Sequence, residues 1–201
     1  MDTDTDVLPP RLFTIAEYHR MAEAGVFGED ERVELLDGQV VAMSPIGPRH
    51  ALTVDVLSRW FGGPRDRWWA RFQNPVELDE RTEPNPDVVL ARMPWRGYPQ
   101  RHPGSADIIL VIEVADSTLR RDLANKLPLY ARNAVAEVWI VDLTDDRVIV
   151  HRDPDPGTQR YGNRFEVGPD GDLDIAGLPG ITLPAGILFR PPPLEDLATE
   201  G

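Results

Sequence analysis

Cysteine is absent from this chain, which removes disulfides, thiolate metal sites and a cysteine nucleophile together. Lysine is almost absent: among 21 Lys and Arg residues, Lys126 alone is a lysine. Positive charge is outnumbered: 21 basic residues against 34 acidic ones leave a formal net charge of −13. Nucleic-acid binders usually carry at least a basic patch, so this balance argues against loose, non-specific attachment to a phosphate backbone. It leaves room for a site in which metal ions offset carboxylates, although solubility is the simpler use of the charge. A long apolar run and a charged-then-apolar leader are also missing, so a soluble cytoplasmic protein with no membrane attachment is expected. His19, His50, His102 and His151 are scattered, without zinc-ligand spacing. Neither a G-x-S-x-G elbow nor a Gly-rich phosphate loop occurs.

What is present reads as one domain. Residues 1–10 are acidic and end in Pro-Pro, as in a disordered tail; residues 11–190 form the domain; residues 191–201 are a Pro-rich C-terminal tail. Thr14 and Glu17 have capping-box spacing ahead of a short helix that stops at Gly25. Asp37-Gly38 between two strand-like runs predicts a hairpin. Pro48 starts a second helix and Gly62-Gly63 ends it. "RWWARFQ", "PDVVLA" and the near-continuous apolar run "DIILVIEV" are strands, the last suited to a sheet centre covered on both faces. A helix over 119–132 follows, then a hairpin turning near Thr144 to Asp146, then short strands and turns. Helices alternate with strands early and hairpins dominate late. The class is therefore α/β or α+β, with a mixed sheet.

The lone lysine can be placed on its helix. At about 100° per residue, Leu119, Leu123, Leu127 and Tyr130 form an apolar stripe, and Arg120, Arg121 and Arg132 fall toward solvent. Lys126 lands within the stripe beside Tyr130, and Pro128 on the outer side. A lysine aimed at a core needs an anion or a wet cleft; Asp122, four residues back, offers a purely structural partner. Glu113 lies inside the apolar strand, where a carboxylate is costly without a cation. Asp87 stands at the start of "DVVLA". Two such acids can converge on one oxygen-rich point that suits a hard divalent ion. A nearby ammonium could then orient the attacking water or meet charge developing on phosphorus. Glu34, mid-strand in "RVELLDG", fits equally a metal shell or an exposed strand position.

Other residues have plainer readings. His50 shares a helical stripe with Val54, Leu57 and Phe61, and a satisfied, partly buried histidine is the commoner outcome. Gln73 ends a strand and could touch substrate. Asp116, Ser117 and Thr118 read as a helix cap. Arg92, Arg96 and Arg101 alternate with Trp95 and Tyr98, a mixture that strand-tracking surfaces use and ordinary loops also contain.

"VELLDGQVVAMSP", "PRH", "PNPDVVL", "LVIEVADSTLRRDLANKLPLYARNAVAEVWIVD" and "RVIVHR", in that order, resemble the PD-(D/E)XK nuclease superfamily. The match is to its restriction endonuclease-like family of bacterial proteins, formerly a domain of unknown function, and it spans about residues 12 to 190. By this resemblance Asp87 is the motif aspartate, Glu113 the (D/E) and Glu34 an additional acid. The common motif has lysine where Ala115 stands; the similar branch carries it on the following helix, at Lys126. The implied fold is a restriction endonuclease-like core, a mixed central sheet flanked by helices with extra hairpins. The implied chemistry is Mg²⁺- or Mn²⁺-dependent hydrolysis of DNA phosphodiesters. Asp87, Glu113 and Glu34 would be the metal ligands and Lys126 would serve the water, in a homodimer that cuts both strands. Two rivals remain: a nuclease-fold binding or assembly module that no longer cuts, and a hydrolase of smaller phosphate esters.

Overall fold

The computed structural model describes residues 9–62, 66–92, 98, 101–116 and 119–191, the side chains of 119–124 excepted. Most of both expected tails, Ser117, Thr118, Trp95, Arg96 and the side chain of Asp122 lie outside these residues.

The chain opens with helix α1 (Ile15–Glu23), whose capping box forms as expected: Glu17 N donates to Thr14 Oγ1 at 3.3 Å and Thr14 N to Glu17 Oε2 at 3.0 Å. Strands β1 (Val33–Leu36) and β2 (Gln39–Ala42) form an antiparallel hairpin. Its turn residues Asp37 and Gly38 have φ of 50° and 78°. Gly38 is obligatory for a second reason, since a Cβ there would lie 2.7 Å from Leu12 Cβ. This hairpin is a separate two-stranded sheet. It attaches through a bridge between Leu35 and Glu83.

Helix α2 (Pro48–Phe61) follows, with Pro48 in its first turn. The central sheet has six strands in the order β3 (Trp69–Phe72), β4 (Val88–Ala91), β5 (Ile108–Ala115), β6 (Glu137–Asp142), β7 (Arg147–Asp155) and β8 (Arg160–Val167). It is mixed: β5 and β6 run parallel, joined by helix α3 (Leu119–Arg132), and every other neighbouring pair is antiparallel. Every residue of β5 and β6 is buried, as a sheet centre covered on both faces requires. On one face Val54, Leu57 and Phe61 of α2 pack with Ile112 and Trp139; on the other, Tyr130 of α3 packs with Val111 and Ile140.

The C-terminal part departs from expectation. Strand β7 is the expected second arm of the hairpin with β6, extended to nine residues; after it, where short strands and turns were expected, β8 is an eight-residue partner that widens the sheet. "DPDPG" resembles a turn in sequence, yet Asp153-Pro154-Asp155 stays in β7. The reason is register: β6 pairs with β7 only as far as Arg152, so the missing N–H of Pro154 interrupts no bond on that side. Strands β9 (Asp172–Asp174) and β10 (Thr182–Pro184) and helix α4 (Gly186–Phe189) close the chain over the α2 face. Among the described residues, no helix is long and apolar enough to cross a membrane.

Candidate active site

The antiparallel register of β4 and β5 pairs Val88 with Ile112. One step further places Asp87 opposite Glu113, at the same end of the sheet. Two elements close over this end from opposite faces. Lys126 comes down from α3 and His50 rises from the first turn of α2. The β1–β2 hairpin, docked beside α3, supplies Glu34.

The contacts are close. Lys126 Nζ lies 3.1 Å from Glu34 Oε2 and 3.2 Å from Glu113 Oε1. Glu34, Glu113 and Lys126 are only 5%, 4% and 8% exposed, so this is a buried ionic group rather than a surface pair. Tyr130 Oη donates to Glu113 Oε1 at 2.6 Å. Complete burial, with the Glu113 carboxylate beside it, holds the Tyr130 phenol well above its usual range, so it remains a donor. The Asn85 backbone N–H donates to Glu34 Oε2 at 3.1 Å. Among the described residues Asp87 accepts on one oxygen only: Oδ2 takes the Val114 N–H at 2.8 Å and lies 3.0 Å from His50 Nε2. An Nε2–H tautomer of His50 donates to that carboxylate. Its Nδ1 is buried and has no hydrogen-bond partner among the described residues.

All of these residues except Tyr130 line one cleft of about 160 Å³, together with Asp116 and Ser44. Four carboxylates, those of Glu34, Asp87, Glu113 and Asp116, line it with two cationic side chains, Lys126 and Arg32. The donors are hard oxygens, and the excess of negative charge is of the kind that a divalent cation neutralises. Among the described residues no three acids or histidines form a closed ligand cluster. That suits Mg²⁺ or Mn²⁺, which take one or two carboxylates and complete their shell with water and phosphate oxygens.

The structure thus brings together Glu34, Asp87, Glu113 and Lys126, the four residues singled out from sequence. It resolves the ambiguity at Glu34 in favour of burial. It also adds three partners that sequence reasoning had undervalued. Tyr130 was read as apolar stripe, though its spacing of four from Lys126 was the available signal. His50 was set aside as a satisfied core histidine. Asn85 gave no signal, because it acts through its backbone. Among the described residues, Gln73, Arg92, Tyr98 and Arg101 do not line this cleft, and Trp95 and Arg96 lie outside those residues. Arg101 is held by Asp107 at 2.6 Å, and Tyr98 Oη bonds the Arg92 carbonyl at 2.6 Å. Arg132 does not simply face solvent: it clamps Asp37 at 3.0 Å and Asp79 at 2.9 Å, fixing the hairpin turn to the end of α3.

A family model described as "Uma2: Putative restriction endonuclease" matches residues 15–186. The fold is similar to the crystal structure of "a putative nuclease belonging to DUF820" from Anabaena variabilis, with a TM-score of 0.65. The two share 15% identity over 89% of this chain and 98% of that one. No curated protein matches the chain.

Proposed function

The chain belongs to the Uma2 family, and from that membership we propose that it is a Mg²⁺- or Mn²⁺-dependent endonuclease that hydrolyses DNA phosphodiesters with an activated water. Membership and fold support nuclease-type function in general. The observation that carries the finer reading is the meeting of Glu34, Asp87, Glu113 and Lys126 in one cleft.

In this reading Asp87 and Glu113 hold the divalent ion and Glu34 assists from the hairpin. A bound divalent ion supplies charge neutralisation at the scissile phosphate and lowers the pKa of water. The chain's own residues do the remaining work. His50 and the Val114 N–H fix the Asp87 carboxylate through Oδ2, so that its other oxygen is the one available to a ligand. Tyr130 fixes Glu113 in the same way. Lys126 balances the buried carboxylates, then orients the attacking water or meets the charge that develops on phosphorus. A homodimer would bring two such clefts to the two strands of a duplex.

The test is incubation of supercoiled and single-stranded DNA with the protein and Mn²⁺ or Mg²⁺, beside Lys126→Ala and Asp87→Asn. Metal-dependent nicking by the native protein, lost in both variants while their folds persist by circular dichroism, is the expected result. Nicking that survives either substitution would overturn it. Ala115 at the usual lysine position, together with the net charge of −13, favours a second reading, a nuclease-fold binding module that does not cut. Calorimetric titration separates the two, because the module need not bind Mn²⁺ and the enzyme must.

A further inference from the structure

Beside the carboxylate cleft lies a second, larger cavity of about 380 Å³, within the ~300–1,000 Å³ range of small-molecule pockets. The two share Arg32, Met43 and Asn85 as a common wall. The far side of the second cavity is aromatic: the rings of Tyr18 and Phe27 pack with centroids 5.6 Å apart. Facing them are polar groups with unused capacity. Among the described residues, the carboxamides of Gln73 and Asn85 and the guanidinium of Arg32 make no side-chain hydrogen bond or ion pair. Arg32 stands on the wall shared with the cluster of acids.

Gln73 carries a further mark. Its φ is +49°, a left-handed conformation that costs a non-glycine residue free energy. Its N–H donates to the Asp87 carbonyl at 2.9 Å. The chain is thereby turned out of β3 immediately beside the motif aspartate, and Gln73 is placed in the wall of the cavity.

Taking the nuclease reading as its basis, we propose that this cavity receives the nucleobase adjoining the scissile phosphodiester. The aromatic side offers a surface for stacking, and carboxamides are suited to paired hydrogen bonds with a base edge. Arg32, on the shared wall, would take the phosphate between the base and the site of cleavage. A base can enter only if it is unstacked, so the preferred substrate is single-stranded nucleic acid or a duplex with an extruded nucleotide.

The experiment measures binding, independent of turnover. Labelled homopolymer oligonucleotides, as DNA and as RNA, are titrated by fluorescence anisotropy against the cleavage-blocked Glu113→Gln protein. The same background then carries Arg32→Ala, Phe27→Ala or Gln73→Gly. The glycine removes the carboxamide and relieves the left-handed backbone, so loss of the fold is not the confounding result. Gln73→Gly should change the ranking of the four bases. Phe27→Ala should weaken binding about tenfold. Arg32→Ala should weaken all sequences alike and reduce the salt slope by about one. If the native protein binds and cuts oligonucleotides while Gln73→Gly and Phe27→Ala leave ranking and affinity unchanged, the pocket is wrong and the nuclease reading stands. If no oligonucleotide binds or is cut, both fall.

Discussion

Two glutamates in neighbouring strands are almost equally buried, and they do different things. Glu137 of β6, 1% exposed, sits on the α2 face with Trp139 and Val141. It accepts from Trp139 Nε1 at 2.7 Å, Arg152 at 2.8 Å and the Ala176 N–H at 2.8 Å. It lines none of the cavities described above. Glu113 of β5 lies on the α3 face, is held by Lys126 and Tyr130, and opens onto a cleft with three further acids, Glu34, Asp87 and Asp116. Burial alone therefore does not identify a working carboxylate. A charge surrounded by donors in a closed environment holds the chain together; a charge beside an ammonium at a cavity wall can exchange partners.

The sharpest way to break this contrast is to neutralise each glutamate. Glu113→Gln should lower metal-dependent cleavage about a thousandfold, a loss of the size seen when a key electrostatic group is removed, with little change in thermal stability. Glu137→Ala should do the reverse. It leaves the Trp139 Nε1–H and the Ala176 N–H without their acceptor, while Arg152 keeps Asp174, and costs about 3 kcal/mol in chemical denaturation with activity per folded molecule kept. Equal effects on both quantities for both variants would erase the distinction.

A third buried group extends it. His151 of β7 is buried, and desolvation, with Arg164 nearby, pushes its pKa from 6.5 down to about 4. Above pH 6.5 the imidazole is neutral in both folded and unfolded chains and adds no pH dependence. Between 6.5 and about 4 the unfolded chain takes up the proton and the folded one does not. Stability therefore falls as pH falls, by about 3 kcal/mol in all. His151→Leu should flatten that part of the stability curve without altering the pH profile of cleavage. The smallest effect is expected at Tyr130→Phe, which removes one hydrogen bond to Glu113. It should cost about 1 kcal/mol of stability and about tenfold in Mn²⁺ affinity by calorimetry. An unchanged affinity would mean that the phenol only fills space.

Much of this was legible in the chain, for identifiable reasons. Asp37-Gly38, Pro48 and the Thr14–Glu17 box are local devices whose geometry depends on near neighbours, and each formed as read. The inward turn of Lys126 followed from helical periodicity alone. What escaped depends on register and on distant partners. The retention of Pro154 in β7 rests on where β6 stops. The clamp of Arg132 on Asp37 and Asp79 joins residues 95 and 53 positions apart, beyond the reach of any periodicity. The contact of His50 with Asp87 spans 37 residues and two elements.

The detachment of the β1–β2 hairpin from the central sheet bears on the order in which the protein matures. A two-stranded hairpin is marginal by itself in water, and this one persists through the Leu35–Glu83 bridge and the Arg132 clamp. Asp87 and Glu113 are in register as soon as β4 and β5 pair, whereas Glu34 arrives only when the hairpin docks. A chain with a finished sheet and an undocked hairpin is folded by most measures, yet lacks one acid and deprives Lys126 of its contact with Glu34. Opening of that hairpin alone takes less free energy than global unfolding. Native-state hydrogen exchange should therefore find the amides of residues 33–42 exchanging ahead of those in β5 and β6, and the site is assembled last and lost first.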